Sequence, residues 1–194
     1  MSFFCYEIAR RIFLLGLRVR PILKALQIPE PGARILDAAC GYGHFCKYLR
    51  NCDYVGMDSD PERIEWAKKL FMENERRKFF VGSVCQTSFA DKSFDLALGY
   101  GILHHLSDEE CKVFLSELNR LVKGNIVFSE PVYSRYHLIN NLLCRLDAGH
   151  YVRQKEGYLA LCRSFLDIAQ VRTFYAHNGL AKYLLITCQP RQEV

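Results

Sequence analysis

Two hydrophobic periods alternate along most of the chain. Short apolar runs recur at Arg34–Cys40, Asp53–Asp58, Phe79–Val81, Phe94–Leu98 and Asn125–Phe128. Each has the length and continuity of a strand buried on both faces. Between them lie stretches of helical spacing: Gly43–Arg50, Pro61 to about Glu73, and Ser107–Lys123. In the second of these, Ile64, Ala67, Leu70 and Phe71 make the apolar stripe. Asp60 before Pro61 predicts a capped helix start, because the carboxylate satisfies free amides and proline needs none. Ser107-Asp108-Glu109-Glu110 predicts another start, and Gly124 the end of that helix. Leu159–Ala169 reads as a last helix, with Val171–Ala176 and Lys182–Cys188 as a strand pair around His177-Asn178-Gly179. The alternation predicts an α/β fold, a mostly parallel sheet with helices on both faces.

Residues 1–28 follow neither pattern cleanly. They are apolar and arginine-studded, and predict one or two helices broken near Pro21. Pro29-Glu30-Pro31-Gly32 reads as a stiff linker. The expected division is therefore a helical lid or extension at residues 1–30 and one α/β domain at residues 31–194. The apolar stretch Ile12–Leu17 is too short to span a bilayer. Membrane contact through residues 1–28 is conceivable but not favoured, since the cations do not gather on one helix face.

Composition narrows the class. The chain has 194 residues, 50% of them hydrophobic and 24% charged, so it can bury a core. A formal charge of +5 is too modest for a charge-driven nucleic-acid binder, so a nucleic-acid partner is not expected. The nine cysteines are an odd number without a C-x-x-C pair, and the six histidines form no spaced set. Neither a disulfide framework nor a metal site is expected, and free thiols suit a reducing, cytoplasmic location.

The chemistry gathers at strand ends, where ligands of such sheets bind. The first strand runs into Asp37-Ala38-Ala39-Cys40-Gly41-Tyr42-Gly43. Its glycines allow a tight turn and close approach of the backbone to a ligand. The third glycine of a dinucleotide fingerprint is replaced by Cys46, and Asp37 would repel a pyrophosphate. Asp58, ending the second strand, suits ribose hydroxyls. Together they favour a cationic ribonucleoside without phosphates, a description that S-adenosylmethionine fits.

Ile35–Gly43 resembles motif I of the class I, Rossmann-like S-adenosylmethionine-dependent methyltransferases. Tyr54–Asp58 resembles their second motif, Ser93–Leu98 with Ile102–Leu106 their fourth-strand motif, and Leu118–Gly124 with Ile126–Pro131 the helix and strand that follow. The resemblance implies a doubly wound seven-stranded sheet, order 3-2-1-4-5-7-6, with the last strand antiparallel. It implies a cofactor site of Asp37, Ala39, Gly41 and Gly43 for the methionine end, Asp58 for the ribose, and Met57 and Ser59 beside the adenosine. Gly82, Ser83 and Val84 would line the adenine, and Tyr100 the sulfonium side. Ala39 departs from the family's commoner glycine, and Ser83 from its commoner acid.

No Asp/Asn-Pro-Pro-aromatic run or Pro-Cys nucleophile follows the fourth strand, where Gly99-Tyr100-Gly101-Ile102 stands. The expected reaction is in-line methyl transfer to an O, N or C atom of a small-molecule acceptor, releasing S-adenosylhomocysteine. The alternatives are a lipid or quinone acceptor at a membrane surface, and a silent cofactor-binding module serving a protein partner. His150, His105 and Glu130 are the candidate acceptor-side or catalytic groups, with residues 131–165 over the acceptor. Glu130 also reads as a structural hydrogen-bond acceptor, and a monomer or homodimer is expected.

Overall fold

A computed structural model describes residues 19–28, 31–147 and 149–191. One sheet of seven strands organises them: β1 (Arg34–Ala38), β2 (Asp53–Asp58), β3 (Arg77–Val81), β4 (Leu96–Tyr100), β5 (Ile126–Pro131), β6 (Leu166–Ala176) and β7 (Ala181–Pro190). Their order is β3-β2-β1-β4-β5-β7-β6. β1 to β5 pair in parallel, and β7 runs antiparallel to both β5 and β6. The helices are α1 (Val19–Leu26), α2 (Pro61–Phe71), α3 (Asp108–Leu121), α4 (Leu138–Leu146) and α5 (Lys155–Phe165).

Strand periodicity splits the core in two. Ile35, Tyr54, Leu98, Val127 and Leu185 face α1 and α2. Leu36, Val55, Ala97, Phe128 and Ile186 face α3 and α5. Helix α3 sends Cys111, Phe114, Leu115, Leu118 and Leu121 inward. Burial of each large apolar side chain among them is worth about 1.5–3 kcal/mol. Its start is a complete capping box, Ser107 accepting from the Glu110 amide while Glu110 accepts from the Ser107 amide. Asp60 caps α2 by accepting from the Glu62 and Arg63 amides.

Several expectations shift. Residues 43–50 form only a 3-10 turn, His44–Tyr48, because Gly43 enters it left-handed at φ 73°. Helix α2 stops at Phe71, and Leu70, off the stripe set by Ile64 and Ala67, is 49% exposed. Helix α3 ends before Gly124, because Val122 turns extended and bridges to Phe94. Leu166–Ala169 is strand rather than helix, since the edge strand β6 starts there and pairs with the far end of β7. Helix α4 is absent from the sequence reading. Pro21 lies in the first turn of α1, where its missing amide costs nothing.

Helix α1 does not lie over the strand ends as a lid. Its Ile22, Ala25 and Leu26 are buried in the same cluster as Ile35, Leu98 and Val127, making it part of the core. Residues 1–18, the rest of the expected lid and the arginine-rich segment, lie outside the described residues. No helix among the described residues is long and apolar enough to cross a membrane.

Candidate functional site

The loop after β1 folds as its glycines require. Ala39, Gly41 and Gly43 all take positive φ, at 62°, 54° and 73°. A Cβ at Gly43 would come 2.9 Å from the Phe79 ring and 3.1 Å from that of Phe71. The Gly41 amide donates to Asp58 Oδ2 at 2.8 Å, and the Asp60 amide to Asp58 Oδ1 at 3.0 Å. Asp58 thereby ties the loop to the end of β2, while the Gly82 amide donates to its carbonyl at 3.0 Å.

A cleft of ≈ 460 Å³ opens at these strand ends. Of the expected cofactor residues, Ala39, Asp58, Ser59, Gly82, Ser83, Val84 and Tyr100 line it. Asp37, Gly41, Gly43 and Met57 are not on its wall. Asp37 is turned inward, 1% exposed, and accepts a 2.6 Å hydrogen bond from the Tyr54 hydroxyl. Burial pushes its pKa up to about 7; the Tyr54 bond opposes the shift and the charge of Asp58 adds to it. Met57 is buried with its terminal methyl against Gly82. The wall also takes Arg63, Cys85, Gly101, Ile102, Leu106 and Glu110, which sequence reasoning missed as site residues. Arg63 had a signal, standing one turn into a helix that starts at the end of β2.

The candidate acid–base groups separate. His105 lines the cleft, partly in water, and its pKa is lowered by desolvation and by the charge of His104. His150 is exposed and outside the cleft. Its neighbours rather than its ring do the packing: the Tyr151 amide donates to the His104 carbonyl at 2.9 Å, and Gly149 lies against the His104 ring.

Glu130 is not an open group at the cleft mouth. It is fully buried, and its carboxylate accepts from the amides of Ile102 (3.0 Å), Leu103 (2.9 Å) and His104 (3.3 Å). His104 Nδ1 lies 2.6 Å from Glu130 Oε2, and its Nε2 lies 3.1 Å from Asp147 Oδ1. Desolvation opposes charge on His104, but the hydrogen bonds to Asp147 and Glu130 outweigh it and raise the pKa to about 9. Glu130 therefore holds the turn after β4 in place, because a buried carboxylate this fully engaged has no free face for a substrate proton. Contrary to the expectation of no histidine set, donor atoms of His104, His105 and Asp147 converge within 4.8 Å of one another. Two of the three already form the ion pair.

The donor set fits S-adenosylmethionine. An acid ends β2 at the cleft wall, a positive-φ loop stands beside it, and a second buried acid lies under that loop. Asp58 would take the ribose hydroxyls, and residues 82–84 the base. Ser83 supplies only a hydroxyl, which accepts from the Cys85 amide at 3.2 Å.

Residues 35–125 match the family model described as a methyltransferase domain. An uncharacterized methyltransferase of Schizosaccharomyces pombe is 30% identical over 102 residues, 46% of this chain and 36% of that protein. The tRNA (carboxymethyluridine(34)-5-O)-methyltransferase of Arabidopsis thaliana is 29% identical over 93 residues, 47% of this chain and 22% of that protein. The chain thus spans about a third or less of the length of these relatives. The geranyl diphosphate C-methyltransferase of Streptomyces coelicolor, solved with Mg2+, geranyl diphosphate and S-adenosyl-L-homocysteine, superposes with TM-score 0.71 at 13% identity. That superposition covers 89% of this chain and 79% of the other, and shows a shared fold. The methyltransferase-domain match over residues 35–125, the strand order and the glycine loop tied to Asp58 agree with one another, and the fold is that of the Rossmann-like, class I S-adenosylmethionine-dependent methyltransferases.

Proposed function

We propose that the protein transfers a methyl group from S-adenosylmethionine to a small-molecule acceptor, at an O, N or C atom, by in-line displacement. The observation that carries this reading is Asp58. It locks the glycine loop through Gly41 and stands on the wall of the cleft that also holds His105. When bound, S-adenosylmethionine supplies a methyl carbon already activated by its sulfonium. The chain's own work is then to hold the two reactants in line, which can provide much of the rate. Tyr100, packed between the Phe45 ring at 5.4 Å and the Tyr183 ring at 6.4 Å, is a rigid wall for that alignment. His105, biased toward its neutral form, takes the proton where the accepting atom carries one. Asp37, once ionised, complements a cationic amino group from beneath the loop.

A nucleic-acid acceptor is the second reading, favoured by the tRNA enzyme among the relatives. A silent binding module is the third, favoured by Ser83 standing in place of an acid. Calorimetric titration with S-adenosylhomocysteine, beside Asp58→Ala and Asp58→Asn, tests the site. Losing hydrogen bonds to a charged acceptor costs about 1.5–3 kcal/mol, so affinity falls tenfold or more in Asp58→Ala. Binding by the wild type followed by methyl transfer to total tRNA, and not to small-molecule extracts, selects the second reading. No binding by a folded wild type refutes the methyl-transfer reading.

A further inference from the structure

Helix α4 is built inside out. Its inward positions are Asn140, 1% exposed, and Cys144. Asn140 donates from Nδ2 to the Val132 carbonyl at 2.9 Å and accepts from the Lys182 amide at 2.6 Å, so polar bonds moor the helix to β7. Its apolar side chains point away. Leu138 is 82% exposed, Ile139 53%, Leu142 55%, Leu143 40% and Leu146 73%, and Tyr136 just before the helix is 86% exposed. These spacings place the five aliphatic side chains on one helix face. A monomer in water has no reason to present such a face.

Charge beside that face points to its occupant. A groove of ≈ 570 Å³ runs between α4 and the start of α5, lined by Arg135, Arg145 and Lys155 with Glu156 the one acid. Among the described residues none of the three cations has an ion-pair or hydrogen-bond partner; Arg135 rests over the Tyr136 ring at 5.5 Å. The other acid nearby, Asp147, is spent on His104. The groove also receives the N-terminus of α5, whose N-cap Gln154 makes no side-chain cap bond and leaves that helix end open to a phosphate. An apolar helix face, an exposed tyrosine at its end and unpaired cations alongside match an anionic phospholipid surface: acyl chains for the leucines, headgroup phosphates for the arginines and Lys155.

We propose that α4 and the neighbouring basic groove dock the protein on an anionic lipid bilayer. Through Asp147 and His104 this surface adjoins His105, so docking places the membrane at the acceptor end of the cleft. Docking of this kind requires no methyl transfer.

Flotation of the full chain with vesicles tests it, comparing phosphatidylcholine alone with phosphatidylcholine plus phosphatidylglycerol. The wild type should float with the mixed vesicles and bind them at least about tenfold more tightly than the neutral ones. Leu142→Asp with Leu146→Asp, and separately Arg135→Glu with Arg145→Glu, should each weaken that binding about tenfold or more. All these positions are exposed, and unchanged S-adenosylhomocysteine titration curves show that the variants are folded. Failure to float overturns the inference, as does binding that survives both double variants. A wild-type dimer by light scattering that Leu142→Asp splits also overturns it, making the face a contact between copies. Failure of S-adenosylhomocysteine binding in a wild type that floats would refute the proposed function and leave this one standing.

Discussion

Replacing Glu130 by glutamine separates a structural role from a catalytic one. In the wild type the carboxylate accepts three backbone amides and faces His104 Nδ1 at 2.6 Å, with no exposed surface. The carboxamide that Glu130→Gln introduces would turn a donor toward a ring nitrogen that itself donates, so His104 must give up its charge or its position. The His104 pKa, raised from 6.5 to about 9, means that its surroundings as a whole, desolvation included, favour the protonated ring by about 3 kcal/mol. Removing one member of a buried pair costs about 3–5 kcal/mol, and that is the loss expected for the variant. The total stability of a domain is about 5–15 kcal/mol, so the variant should be folded but much weaker.

The raised pKa also fixes the pH signature. The folded state holds the proton more tightly, so the stabilisation is fully present below 6.5 and is lost as pH rises through about 9. Asp37, half-titrated at about 7, and the cysteines, whose unfolded midpoint is 9.0, also destabilise the fold as pH rises, so the difference between the wild-type and Glu130→Gln profiles isolates His104. Between 6.5 and about 9, wild-type unfolding free energy from urea titrations should fall with pH, His104 contributing up to about 1.4 kcal/mol per unit, and Glu130→Gln should lose that share of the slope. A variant within about 1 kcal/mol of the wild type, or a wild type insensitive to pH across that interval, would refute the reasoning. Unchanged stability with lost turnover would restore Glu130 as a base.

Other expectations follow from the loop and its acids. Ala39→Gly should stabilise by about 1 kcal/mol in thermal unfolding, because alanine at φ 62° is strained, by more than glycine's added unfolded-state freedom removes. A lower melting temperature would contradict this. Gly43→Ala should destabilise by about 2–4 kcal/mol, from positive φ and contact with Phe79 and Phe71, and an unchanged urea midpoint counts against it. Affinity for S-adenosylhomocysteine should fall as pH drops below about 7, because protonated Asp37 no longer attracts its ammonium group. Asp37→Asn should remove that dependence; calorimetry showing a flat wild-type profile argues that Asp37 does not face the cation.

Much of the fold was legible because its signals are local. A strand buried on both faces must be apolar at successive positions, and Ile35-Leu36, Tyr54-Val55 and Val127-Phe128 are. Caps are one-turn chemistry, so Asp60-Pro61 and Ser107 with Glu110 announced α2 and α3. The glycine loop and Asp58 were legible too, because a positive-φ turn and an acid at adjoining strand ends are written in residue type. What only the tertiary structure decided depends on partners distant in the chain. His104 and His105 are neighbours with opposite fates, one drawn between Glu130 and Asp147, the other left in the cleft. Glu130 is a buried acceptor because the turn after β4 brings three amides onto it. Leu166–Ala169 became strand because β7 offered an edge, overriding local helical spacing. Helix α4 carries its apolar stripe in the spacing of Leu138, Ile139, Leu142, Leu143 and Leu146, but that this stripe points out while Asn140 points in was decided by packing. Periodicity reveals that a face exists, and only packing decides which way it turns.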